Sequence, residues 1–295
     1  MVASVIIGLP LWVTMLLIPV TTVFHIRSFI IFHDCCHRSF FKSQAANRFL
    51  GTIIGVMTFT AYDAWAGEHL THHSSVADLS RRGTGDIWTM TVSEYQAASK
   101  WKRFLYRAFR NPFILFGLGP IWVFLIFNRM FQPGMSKRER WSIAFTNIAI
   151  LGVALILSLV IGWQNYLLIK LPLIYLSGVF GIWLFYVQHQ FDPTHWYDPE
   201  DWDFFTASLH SSSYYKLPKV LQWISGNIGL HHVHHVNARI PNYHLQACLD
   251  NTPELQTVKP MTLLDSLKTI RMNLWDEEKQ KLVSFGSLRT VGQTT

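Results

Sequence analysis

The chain has 295 residues, half of them hydrophobic and only 15% charged, against about 25% charged in an ordinary soluble domain. Lys plus Arg number 25 and Asp plus Glu 18, a net charge of +7, but long charge-free stretches replace the basic runs of a nucleic-acid binder, so no nucleic-acid partner is expected. Three cysteines (Cys35, Cys36, Cys248) form no CxxC pair and no even-numbered framework, which sets aside a disulfide scaffold and a zinc ribbon; this is the composition of a membrane protein.

In chain order, residues 2–24 carry no charge and are long enough to cross a bilayer, which needs about 20 apolar residues. No basic n-region or small-residue cleavage site accompanies them, so a signal peptide is not expected. Residues 49–62 are apolar but too short to cross, and read as an interfacial or buried helix. Residues 111–128 lie between two basic segments, Lys100–Arg110 and Arg129–Arg140. Basic flanks stay on the cytoplasmic side, so this stretch is expected to be interfacial or re-entrant, bent at Pro120. Residues 142–162 and 166–188 form a hairpin of two spans through the uncharged turn at Trp163–Asn165. Residues 63–110 and 192–295 make a cytoplasmic cap, in which 261–275 has helical apolar spacing. The fold class expected is all-α: a single multipass domain over 1–295, with about three full spans and a helical cap carrying a histidine-rich di-metal site.

Histidine is the over-represented residue, at 14. Nine fall in three clusters: His33 and His37 (H-x-x-x-H); His69, His72 and His73 (H-x-x-H-H); and His231, His234 and His235 (the same H-x-x-H-H, with His232 off the pattern). On a helix, positions i, i+3 and i+4 share a face, so each cluster presents two or three imidazoles to one point. Eight nitrogens are enough for two metal ions. Imidazole suits Zn, Cu, Fe and Ni alike, so the ligand type alone leaves the metal open. Gly83-Thr84-Gly85 lacks the third glycine and the preceding strand of a nucleotide fingerprint. An all-nitrogen paired site beside lipid points to redox work on an apolar substrate.

The boxes and their surroundings resemble the membrane fatty acid desaturases. The likeness runs through Phe29–His37, Arg82–Thr89, Tyr186–Phe191, Ser213–Pro218, Gly226–Tyr243 and Leu274–Glu278, about Leu11 to Phe285 in all. These segments are similar to the acyl-lipid branch, which holds Δ12 (omega-6), omega-3 and bacterial Δ5 enzymes. The resemblance implies two Fe ions held by His33, His37, His69, His72, His73, His231, His234 and His235, with O2 as co-substrate and a cis double bond inserted into a long acyl chain, Δ12 (omega-6) type in this case. It also implies a histidine outside the boxes, here His189, with Asp34, Asn227 and Asp86 as partners of the ligands. The implied partners are a fatty acyl lipid, the bilayer and an external electron donor of ferredoxin or cytochrome type, which the basic Lys100–Arg110 stretch is placed to meet if it does not lie on anionic lipid.

Cys36 stands where the family usually has Gly, and the additional span that the family usually has before the one leading into box one is expected to be missing. The implied location is a bacterial inner membrane with the boxes on the cytoplasmic face. A hydroxylase, acetylenase or ketolase on the same scaffold is the alternative chemistry. A multipass metal carrier or sensor is the alternative class, and it predicts ligands strung along the spans at midplane depth.

Overall fold

The computed structural model describes residues 1–288, which are mostly helical and divide into two compact units. Among the described residues, three helices are long and apolar enough to cross a membrane: α2 (Leu11–Cys36), α8 (Lys137–Ile161) and α9 (Trp163–His189). The unit boundary falls inside α4 (Tyr62–Ser74) and inside α9.

The first unit holds the membrane helices. The helix expected over 2–24 is two helices instead, α1 (Val2–Ile6) and α2, because Pro10 has no N–H to continue a helix and serves as the N-cap of α2. The apolar span is thereby shifted toward Cys36, and it carries box one on its last turn. The short stretch at 49–62 belongs to a helical hairpin of α3 (Gln44–Met57) and α4, closed by a turn at residues 58–61. The carbonyls at the end of α3 have no helical partner, and in hydrocarbon each must be satisfied internally. Met57 O accepts from Lys170 Nζ (2.8 Å) and His25 Nε2 (3.0 Å); Phe59 O accepts from Arg129 Nη2 (2.5 Å) and Asn128 Nδ2 (3.3 Å). Cations are the favourable partners there, since a helix C-terminus is partially negative.

Pro120 does not bend the 111–128 stretch as expected. Two π-helical turns, Phe113–Leu118 and Trp122–Ile126, flank the single turn α7 (Gly119–Ile121), and the widened turns accommodate the missing N–H. The break comes earlier, at Asn111, which precedes Pro112 and is disfavoured from helical geometry by it. Helix α8 begins with a capping box, Ser136 with Glu139, and ends where Gly162 turns at φ +82° into α9. A cavity of about 290 Å³ lies within this unit, walled mostly by apolar side chains of α2, α8 and α9, Phe24, Val153, Leu157 and Leu173 among them.

The second unit is the cap. It adds α5 (Val92–Ala97), α6 (Lys100–Phe109), α10 (Phe204–His210), α11 (Lys219–Ile224), α12 (His231–Val236), α13 (Leu245–Asn251) and α14 (Leu263–Lys268). Two small sheets tie distant segments together. In one, β1 (Met90–Thr91) runs parallel to β4 (Leu274–Asp276), which pairs antiparallel with β5 (Lys281–Val283). In the other, β2 (Tyr214–Tyr215) runs parallel to β3 (Pro260–Met261). The helix expected over 261–275 is therefore short. The Thr262–Asp265 capping box starts α14, but Leu274 and Trp275 are fully buried strand residues at the centre of the cap core.

Candidate metal centre

Within the cap, α4 presents His69, His72 and His73, α12 presents His231, His234 and His235, and the last residue of α9 is His189. The i, i+3, i+4 spacing puts each trio on one helix face. All seven imidazoles are buried.

They sort into two groups. His72, His189, His231 and His235 converge, with Nε2–Nε2 separations of 3.0 Å for His72–His189, His189–His231 and His231–His235. In the second group His73 Nε2 lies 3.2 Å from His69 Nε2 and 3.1 Å from His234 Nε2. A neutral imidazole has one donor and one acceptor nitrogen. Nε2 of His189 faces two other Nε2 atoms, and so does Nε2 of His231, an arrangement that hydrogen bonding serves poorly. Metal–imidazole bonds of about 2.0–2.1 Å at tetrahedral or octahedral angles put neighbouring nitrogens roughly 3 Å apart. The donor set therefore fits a cation at each group. Burial, followed by the neighbouring imidazoles, pushes His235 well below its usual value, so it stays neutral with a lone pair to give.

The rings are aimed by their other nitrogens. His72 Nδ1–H donates to Asp86 Oδ1 at 2.8 Å, and His189 Nδ1–H donates to the Ser211 carbonyl at 3.3 Å. Each bond fixes the tautomer and turns Nε2 inward. Asp86 reaches His72 because Gly85 precedes it: at φ +69°, a Cβ on residue 85 would meet His72 Cβ at 2.9 Å. Of the Gly83-Thr84-Gly85 motif, Gly85 has this close approach as its reason, while Gly83 sits in open space at φ +107°.

Box one lies in the first unit at the end of α2. His33 and His37 are buried with ring centroids 4.7 Å apart, and His33 Nδ1–H donates to Asp34 Oδ1 at 3.2 Å. Asn227 sits at a left-handed position (φ +61°) and donates its amide to Asn242 O. His232 turns from its neighbours and donates Nε2–H to the Leu255 carbonyl at 3.1 Å; burial lowers its pKa to about 4. Arg110, read from the sequence as the end of a basic stretch facing a donor or lipid, is instead buried in the cap. Its buried guanidinium donates to Gln190 Oε1 (2.8 Å) and the Met272 carbonyl, and Gln190 Nε2 donates to Thr89 Oγ1 (3.1 Å), bracing the residue next to His189.

The fatty acid desaturase family model matches residues 10–258. A fatty acid desaturase of Bacillus subtilis is 45% identical over 278 residues, covering 94% of this chain and 79% of the relative. An sn-1 acyl-lipid omega-3 desaturase (ferredoxin) of Nostoc is 27% identical, covering 84% of this chain and 68% of its own length. An sn-1 oleoyl-lipid 12-desaturase of Synechocystis is 28% identical, covering 74% and 62%.

Proposed function

The chain belongs to the fatty acid desaturase family and is a membrane-bound oxidoreductase, and from that premise we propose that it inserts a cis double bond into the acyl chain of a membrane lipid, at the Δ12 (omega-6) position. The observation that carries the reading is the pair of buried all-imidazole groups in the cap, of four and three nitrogens. In this reading His33 and His37 belong to the same ligand set, and the metal is iron. Bound iron would supply the redox chemistry, with O2 as oxidant and two electrons from a ferredoxin- or cytochrome-type donor: –CH2–CH2– + O2 + 2e⁻ + 2H⁺ gives –CH=CH– + 2H2O.

The protein's own part is to hold, exclude and position. Asp86 and the Ser211 carbonyl keep two rings in one tautomer. Burial keeps bulk water from the imidazoles. Methylenes differ only by place, so regiochemistry needs an apolar channel of fixed length, and we assign hydrocarbon to the 290 Å³ cavity among α2, α8 and α9. The relatives' names, omega-3 and oleoyl 12-desaturase, support lipid-linked substrates and bracket the position. The boxes on the cytoplasmic face of a bacterial inner membrane complete the reading.

The test is gas chromatography–mass spectrometry of total fatty acids, with double-bond derivatisation, from a bacterium expressing the chain with a ferredoxin system. A dienoic acid with its new bond at Δ12 is expected. A hydroxylated or keto product, or a bond at another carbon, overturns the assignment.

A further inference from the structure

Helix α6 has two opposed faces. Tyr106 and Arg110, one turn apart, point into the cap: Tyr106 is fully buried, its hydroxyl donates to Asn273 O, and Arg110 braces Gln190. On the other face Trp101, Phe104, Leu105 and Ala108 fall at i, i+3, i+4 and i+7, the spacing of a single apolar stripe. Among the described residues, nothing in the cap covers Trp101, Phe104 or Leu105, and Ala108 is half-buried. Trp101 is 66% and Phe104 58% exposed, and their rings stack at 5.3 Å. Lys100 and Lys102 are exposed along its margins, whereas Arg103, three residues before Tyr106, is half-buried on the cap side. A large apolar face with aromatic residues, flanked by cations, is the pattern of a helix lying in a lipid interface. The chain then runs within four residues of Phe109 into the apolar stretch that starts at Phe113, itself 85% exposed.

We propose that α6 docks on the surface of an anionic phospholipid bilayer, with Trp101, Phe104 and Leu105 sunk into the headgroup–acyl boundary and Lys100 and Lys102 on lipid phosphates. Two features favour lipid over an acidic electron donor. Long apolar side chains occupy the centre of the face and the cations only its margin. The face also continues in sequence into a lipid-type segment. Through Arg110 and Gln190, the seat of α6 is tied to the end of α9 that carries His189, so the surface contact bears on where that ligand stands.

The test places an environment-sensitive fluorophore at Ala108→Cys in a Cys248→Ser background, leaving the buried Cys35 and Cys36 unlabelled, in the full-length protein in nanodiscs. With phosphatidylglycerol present, the emission shifts to the blue and is quenched by lipids carrying a nitroxide near the headgroup. The quenching falls in pure phosphatidylcholine and in about 1 M salt, where the Debye length is about 3 Å. It is lost in K100S/K102S, and W101S/F104S loses it with the charges intact; unchanged metal content and elution volume show that both variants remain folded. Equal quenching in both lipids overturns the anionic preference. A water-like emission in both lipids that changes only when ferredoxin is added overturns the proposal and makes α6 a donor site.

Discussion

His72 and Asp86 form a buried pair in which the ring's Nδ1–H donates to Oδ1 of the carboxylate at 2.8 Å, leaving Nε2 of His72 3.0 Å from Nε2 of His189. The carboxylate acts on the metal group only through the ring that it turns. D86N keeps the shape but offers the ring a weaker acceptor, and such changes beside a ligand typically cost 10- to 100-fold in metal affinity. Competition with a chromophoric chelator is expected to show a loss in that range while the protein stays membrane-inserted. Unchanged affinity would remove Asp86 from the site.

Gly85 makes the same pair possible by a different cause. G85A puts a methyl 2.9 Å from His72 Cβ and places a side chain at φ +69°, a strain on the order of 1–3 kcal/mol. We expect a lowered melting temperature and weaker metal retention together; a variant with normal retention would show that the loop approach is dispensable.

Arg110 is a buried cation that donates to Gln190 Oε1 and to the carbonyls of Met272 and Trp88. Truncation of Gln190 strips the buried guanidinium of one acceptor, at a cost of about 1–3 kcal/mol. Q190L is expected to unfold the cap at markedly lower temperature than wild type in circular dichroism melts, and R110M, which removes the charge itself, to be milder. The reverse order would contradict the assignment of Arg110 as the charged member.

The apolar cavity of the first unit gives a product-length prediction. L173W fills part of it and is expected to shift turnover toward shorter acyl chains, with a stability cost of about 1–3 kcal/mol from overpacking. A chain-length profile identical to wild type would separate this cavity from the substrate.

Acid stability has one legible contributor at the cap surface. The hydrogen bond from Arg82 is the main cause that holds the Glu94 carboxyl below its usual range. A depressed folded-state pKa means the stabilisation is present above the unfolded value of about 4.3 and is lost as pH falls through the folded one. The pair is half in solvent, so about 1 kcal/mol is the most it contributes. R82Q should lower the melting temperature slightly at pH 7 and close the gap to wild type under strong acid; a constant gap would mean the charge pair is not the cause.

Much of the site was legible because helical spacing is local. His69, His72 and His73, and likewise His231, His234 and His235, share a face by arithmetic alone. His189 had no motif and stood out only through the family resemblance and its place at the end of an apolar run. What the sequence hid depends on distant partners. Lys170 and Arg129 meet carbonyls 113 and 70 residues away, and β1 finds β4 from the far end of the chain. The 2–24 run read as one helix because apolar length was weighed above Pro10. The 261–275 run read as helix because burial of Leu274 and Trp275 on a three-residue strand leaves the same apolar pattern.

The most direct measurement is iron content by plasma mass spectrometry of the purified chain beside H235Q and H232Q. His235 belongs to the four-nitrogen group, and His232, three residues earlier, is spent on the Leu255 carbonyl. Two irons per chain are predicted in wild type and in H232Q, with a loss in H235Q. A wild type that takes up no iron, or an H232Q protein as depleted as H235Q, would contradict a di-iron centre built on these imidazoles.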